Sequence, residues 1–84
     1  MSPAKTHLDV IIVTPDGILF QGKADTIIFP GEKGVFEVLP HHKPLMSRLL
    51  RGDVLIDSRS IPIERGVVKV GLNTITAIVE TNRS

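Results

Sequence analysis

The chain has 84 residues, 42% of them hydrophobic and 23% charged, with a formal net charge of +1 and no cysteine. That length holds one domain, and the apolar content rules out wholesale disorder. The missing cysteines exclude disulfides, thiolate metal sites and a cysteine nucleophile, and the near-neutral charge gives no global field to draw in nucleic acid or an anionic membrane.

Isoleucine and valine dominate the apolar set. Their stiff branched side chains favour a pleated surface, and seven glycines and six prolines break the chain into short runs. The pattern therefore predicts an all-β domain with almost no helix. The first strand covers 7–14, where Leu8, Val10 and Ile12 form one apolar face. Thr14-Pro15-Asp16-Gly17 is a turn, because Pro presets φ and Asp-Gly suits a tight bend. Residues 18–21 return as a second strand, 22–25 turn again, and 26–29 form a third strand closed by Pro30-Gly31. Glu32-Lys33-Gly34 is a tight polar turn, followed by a strand over 35–39. Pro40-His41-His42-Lys43-Pro44 reads as an irregular, Pro-bracketed loop. Residues 45–50 fit either a strand or one helical turn; Pro44 and Gly52 leave too little room for a stable helix, so strand is expected. Further strands are expected over 54–57, 61–64, 67–70 and 74–80, separated at 58–60, 65–66 and 71–73. Short strands at this spacing argue a sandwich or barrel. The longest apolar run, Val10 to Val13, is far below the ~20 residues of a membrane-spanning helix, and residues 1–7 carry no apolar signal core.

The densest local signal is Pro30-Gly31-Glu32-Lys33-Gly34-Val35-Phe36-Glu37-Val38-Leu39-Pro40-His41-His42-Lys43-Pro44-Leu45. A glycine-paired turn, a short strand and a stiff loop present side chains with little freedom, whether as a plain hairpin or as a contact surface. This stretch resembles the matching segment of F-type ATP synthase epsilon subunits, with their glycine-rich turn, Leu-Pro-x-His-x-Pro-Leu segment and Gly-x-Val-x-Ile run. The start also resembles that family: Leu8-Asp9-Val10 leads to Thr14-Pro15-Asp16-Gly17 and Phe20-Gln21-Gly22. So do Leu49, Gly52, Val54 and Ile56, and the later Gly66-Val67-Val68-Lys69-Val70. The likeness covers about residues 8–80. It departs from the family at Lys43, where alanine is usual, and at His41, where glycine is common. The chain also stops at Ser84, without the pair of helices that epsilon subunits commonly carry after this domain. It is thus expected to be either a naturally short epsilon or the isolated β domain.

The resemblance implies a single domain over 1–84, with its core at about 7–80, built as a flattened antiparallel β-sandwich of two sheets with about ten short strands. It implies a non-catalytic rotor part of the central stalk, needing no cofactor. It would link the gamma subunit to the polar loops of the membrane c-ring in proton-coupled ATP synthesis. That role places the chain peripherally on the cytoplasmic face of the bacterial inner membrane, with no direct insertion. By position, Gly31, Glu32, Lys33, Gly34, Val35, His41, His42 and Lys43 fall on the family's contact region and are the expected partner interface. Partner-facing apolar surface leaves room for self-association when partners are absent.

Other readings are weaker. A nucleic-acid-binding barrel of the OB or cold-shock type needs aromatic stacking platforms and a basic groove, yet the chain has three phenylalanines, no tryptophan and no tyrosine. Phe20, Phe29 and Phe36 are expected to serve the core first, with at least one turned towards gamma as the alternative. His41-His42 with Glu37 or Glu32 falls short of a zinc site, because adjacent side chains on an extended chain point apart. Ser47, His42 and Asp53 lack the context of a nucleophile elbow. Lys33 at a hairpin tip lacks the flanks of a lipoyl-type carrier.

Overall fold

The computed structural model describes residues 7–82. Nine strands form: β1 Leu8–Thr14, β2 Gly17–Ala24, β3 Ile27–Gly31, β4 Gly34–Val38, β5 Leu45–Leu49, β6 Gly52–Ile56, β7 Arg59–Ile63, β8 Arg65–Val70 and β9 Thr74–Glu80. There is no helix among the described residues. The expected all-β class is therefore what the chain adopts, and the ambiguous 45–50 segment is a strand.

Hydrogen bonding is continuous. The strands follow the order β2-β1-β9-β8-β5-β3-β6-β7, with β4 on the other edge of β3. Two groups can be distinguished within this curled sheet. One is β2-β1-β9-β8-β5 and the other is β4-β3-β6-β7. They meet where Gly31 pairs with Leu49, flanked by Glu32 N–H donating to the Arg48 carbonyl and Leu50 N–H to that of Pro30. This junction links the two groups into one hydrogen-bonded strand order. Antiparallel pairing also has one exception: β1 runs parallel to β9, with Val10 beside Ile75 and Ile12 beside Ala77.

The period-2 alternation of the strands sets what is inside. Leu8, Val10 and Ile12 of β1 are buried together with Ile75, Ala77 and Val79 of β9 and Val68 and Val70 of β8. From the other group come Ile27, Phe29, Val38, Val54, Ile56 and Ile63, and all belong to one core. Phe29 is fully buried and Phe20 and Phe36 pack against the core from its margin. The Phe29 and Phe36 rings lie 5.6 Å apart, tilted by 33°. The two ends of the strand order approach each other where the Arg59 guanidinium of β7 lies 5.6 Å above the Phe20 ring of β2.

Several strand boundaries differ from the sequence expectation because pairing partners extend the strands: Gly52 and Asp53 join β6 by pairing with Ile63 and Pro62, and Arg65 and Gly66, expected as a separator, begin β8 by pairing with Glu80 and Val79. Residues 22–24 continue β2, because β1 pairs with it as far as Leu8–Ala24; the Phe20 ring lies beside Gly22, where an added Cβ would sit 3.6 Å from it, in ordinary contact. The irregularity falls instead at Leu19, which the register skips between the Ile12–Phe20 and Val13–Ile18 pairs, a bulge. Pro30 and Gly31 stay in β3, since they pair with Val35 and Gly34. Arg59 and Ser60 belong to β7 and the turn sits at 57–58, where Asp57 has φ 52°.

Candidate docking site

The eight interface residues expected from the sequence divide into two places. Gly31, Glu32, Lys33, Gly34 and Val35 form the tip between β3 and β4. His41, His42 and Lys43 lie in the loop between β4 and β5. Residues 36–40, the last three of β4 followed by Leu39 and Pro40, separate them, about 16 Å at the rise of a strand.

The tip is shaped by its glycines. Gly31 is buried, and a Cβ there would meet the Phe36 ring at 2.7 Å and the Gly34 carbonyl oxygen at 2.8 Å. Gly34 has φ 124°, a region that side chains rarely tolerate. These two positions close the loop with Glu32 and Lys33 at its apex, both exposed. Val35 follows, 75% exposed although it is apolar.

Sequence reasoning missed what stands beside the tip. A surface groove of about 610 Å³ runs between Glu32 to Phe36 and the outward side of β5 and β8, where Met46, Arg48 and Val67 line it. Met46 is 71% exposed. Across the sheet, Val67 pairs with Ile78, Ile78 with Val13 and Val13 with Ile18. Val67, Ile78 and Ile18 are all exposed, so an apolar row crosses the outside of four strands. The alternation of β8 and β9 carried this signal, since every second residue must face outward. An apolar centre rimmed by Glu32, Lys33 and Arg48 has the anatomy of a protein interface.

The loop is organised differently. His41 has φ 69°, and its N–H donates to Oδ1 of Asn73 at 2.7 Å. His42 N–H donates to the Leu39 carbonyl at 3.1 Å, and His42 Nδ1 donates to the Lys43 carbonyl at 2.6 Å. Lys43 is exposed and His42 half-buried. Leu39 is half-exposed, and Leu72, next to Asn73, is 72% exposed. This end of the domain therefore also shows apolar side chains around polar ones.

The arrangement offers little chemistry. Ser47 Oγ donates to the Arg48 carbonyl and the His42 ring is turned to its own loop, so the two are not directed at each other. Among the described residues, no three His, Asp or Glu side chains converge as a metal ion requires. The three phenylalanine rings face the core or its margin, which leaves no aromatic platform for stacked bases.

Comparison with known proteins identifies the family. Residues 7–83 match the family model described as the ATP synthase, Delta/Epsilon chain, beta-sandwich domain. The chain is 45% identical over 78 residues to the ATP synthase epsilon chain of Nitratiruptor, an alignment covering 87% of this chain and 60% of that protein. It is 37% identical over 79 residues to the epsilon chain of Campylobacter fetus, covering 88% and 60%. The chain thus spans about three-fifths of the length of these relatives. Among solved structures, a chain of the Euglena gracilis mitochondrial ATP synthase superposes with a TM-score of 0.78 at 15% identity, over 93% of this chain and 53% of that one. A chain of the central stalk and c-ring of the Tetrahymena thermophila mitochondrial enzyme gives 0.72 at 14% identity, over 94% and 66%. At such identities the likeness concerns the fold. The family match covers nearly the whole chain: it belongs to the β-sandwich domain family of ATP synthase delta and epsilon chains.

Proposed function

We propose that this domain is a non-catalytic part of the central stalk of an F-type ATP synthase, joining the gamma subunit to the polar loops of the c-ring. The observation that carries the reading is the exposed apolar groove at the Gly31–Val35 tip, bounded by Met46 and Val67 and rimmed by Glu32, Lys33 and Arg48. Such a surface costs solvation until a partner covers it, and a stable contact would bury at least ~1,200 Å² in total. The second exposed end, at His41, His42 and Lys43, gives the domain another contact about 16 Å away along residues 36–40. A stiff body with more than one exposed face suits a coupling part. The tip groove, the loop and the sheet side that joins them serve the gamma subunit, and an end of the domain away from that side meets the ring.

The mechanical logic follows from the hydrogen bonding. Torque passes through a body without loss only if the body does not bend. Nine strands in one bonded order, closed over one core, leave little internal freedom. No proton, phosphate or nucleotide need be handled on this chain. Catalysis and proton passage belong to other subunits, and association with the membrane comes through the c-ring. No helix of the described residues is long and apolar enough to cross a bilayer. In this reading the domain sits at the cytoplasmic face of a bacterial inner membrane.

A pull-down with purified gamma subunit tests the proposal. Retention at micromolar concentration is expected, with loss of retention for Val35→Asp and Met46→Asp in chains that remain folded. Absence of binding by the unaltered chain contradicts it.

A further inference from the structure

Asn73 is the one buried polar side chain among the described residues, 5% exposed. It lies in the turn between β8 and β9, where Gly71 N–H donates to the Thr74 carbonyl at 2.8 Å. Its backbone is left-handed, φ 58°, which asparagine tolerates better than other residues with a Cβ. Two bonds leave it for other parts of the chain. Its carbonyl oxygen accepts from Asp9 N–H at the start of β1, at 2.9 Å. Its side-chain Oδ1 accepts from His41 N–H, 32 residues away, at 2.7 Å.

His41 is itself a left-handed residue without glycine's freedom, φ 69°. Such a conformation persists only where its surroundings impose it. Within the loop, the bonds of His42 to Leu39 and Lys43 are short-range. The bond from Asn73 is the only one among the described residues that ties His41 to a distant part of the sheet. We propose that Asn73 is the positioning residue of the docking loop. Its amide oxygen holds His41 left-handed, and that fixes the direction in which His42 and Lys43 are presented to the gamma subunit. The contact with gamma rests on the function proposed above; the anchoring of the loop does not. A loop already held in its bound shape loses less freedom on docking.

Two variants separate the side chain from the backbone. Asn73→Gly keeps the left-handed turn but removes the acceptor. Asn73→Asp keeps both. Amide hydrogen exchange of the free 84-residue chain and its Kd for purified gamma subunit are the two readouts. Asn73→Gly should speed exchange at His41 and weaken gamma binding, each about tenfold, as loss of one part-buried hydrogen bond implies. Asn73→Asp should restore both. Faster exchange with unchanged Kd in Asn73→Gly would reduce Asn73 to a structural role and overturn the proposal. Unchanged exchange at His41 would overturn it whether or not gamma binds. Failure of the unaltered chain to bind gamma would instead strike the proposed function. Should Asn73→Gly not fold, the unaltered chain still decides: His41 N–H must exchange as slowly as the amides of β8 and β9, and fast exchange there ends the inference.

Discussion

The tip at Gly31–Val35 and the loop at residues 39–44 lie at the two ends of the same strand, yet they are built in opposite ways. At the tip, shape comes from missing side chains: Gly31 leaves room for the Phe36 ring, and Gly34 turns where a Cβ would be strained. In the loop, shape comes from a borrowed acceptor, the Oδ1 of Asn73 across the sheet. The turn between β6 and β7 follows the second plan. Asp57, left-handed at φ 52°, accepts from the N–H groups of Asp25 and Thr26 at 3.0 and 3.1 Å, more than 30 residues away. Local sterics and long-range tethering thus solve the same problem, and they should fail differently.

The largest effect should come from behind the tip. Phe29 is fully buried and supports Phe36, so Phe29→Ala is expected to destabilise the domain by about 3–5 kcal/mol. Urea denaturation should show it as a lower midpoint or an unfolded chain. Next comes Gly31→Ala, whose added methyl would meet both the Phe36 ring and a backbone oxygen; overpacking of this kind costs about 1–3 kcal/mol. Thermal melting measures that loss, and hydrogen exchange should place the disturbance in β3 and β4 while the His41 loop keeps its protection. Equal loosening of both ends would erase the distinction between them.

Smaller effects probe the tethered type. Asp57→Ala removes the acceptor for two exposed N–H groups, for an expected loss of about 1–2 kcal/mol. Exchange should quicken at Thr26 and Asp25, far from the substitution in sequence. The smallest change in stability, within about 0.5 kcal/mol, is expected for Val35→Asp, because an outward side chain packs against little. Its effect belongs to partner binding, and a loss of stability without a loss of binding would argue that Val35 is merely surface.

The same contrast explains which parts of this molecule can be read from its residues. Alternation at Leu8, Val10 and Ile12 announces a half-buried strand, because the side-chain period of two is a local property. The glycine pair around Glu32 and Lys33 announces a tight turn for the same reason. The end of β2 is not local. Gly22 reads as a turn until β1 pairs along it and the Phe20 ring lies beside it. Asn73 reads as a separator residue and Asp57 as the end of a strand, since nothing nearby tells that their side chains serve amides 32 and 31 residues distant. Of the surface proposed for docking, only the turn at the Gly31–Val35 tip is legible as a shape. Met46 was hidden in the segment that fitted strand and helix alike, and the partnership of Val67 with Ile78 depends on the β8–β9 register. The division of the eight interface residues into two places follows from the course of residues 36–40 between them and needed the fold to be seen.

A folded body that presents the groove beside Val35 and Met46 to a stalk partner is the central requirement. Isothermal titration of the 84-residue chain with purified gamma subunit tests this most directly. A Kd in the micromolar range or tighter is expected, at least tenfold weaker for a folded Val35→Asp, Met46→Asp double variant. Heat-silent mixing with no complex on a sizing column, or an unchanged Kd for the double variant, would contradict it.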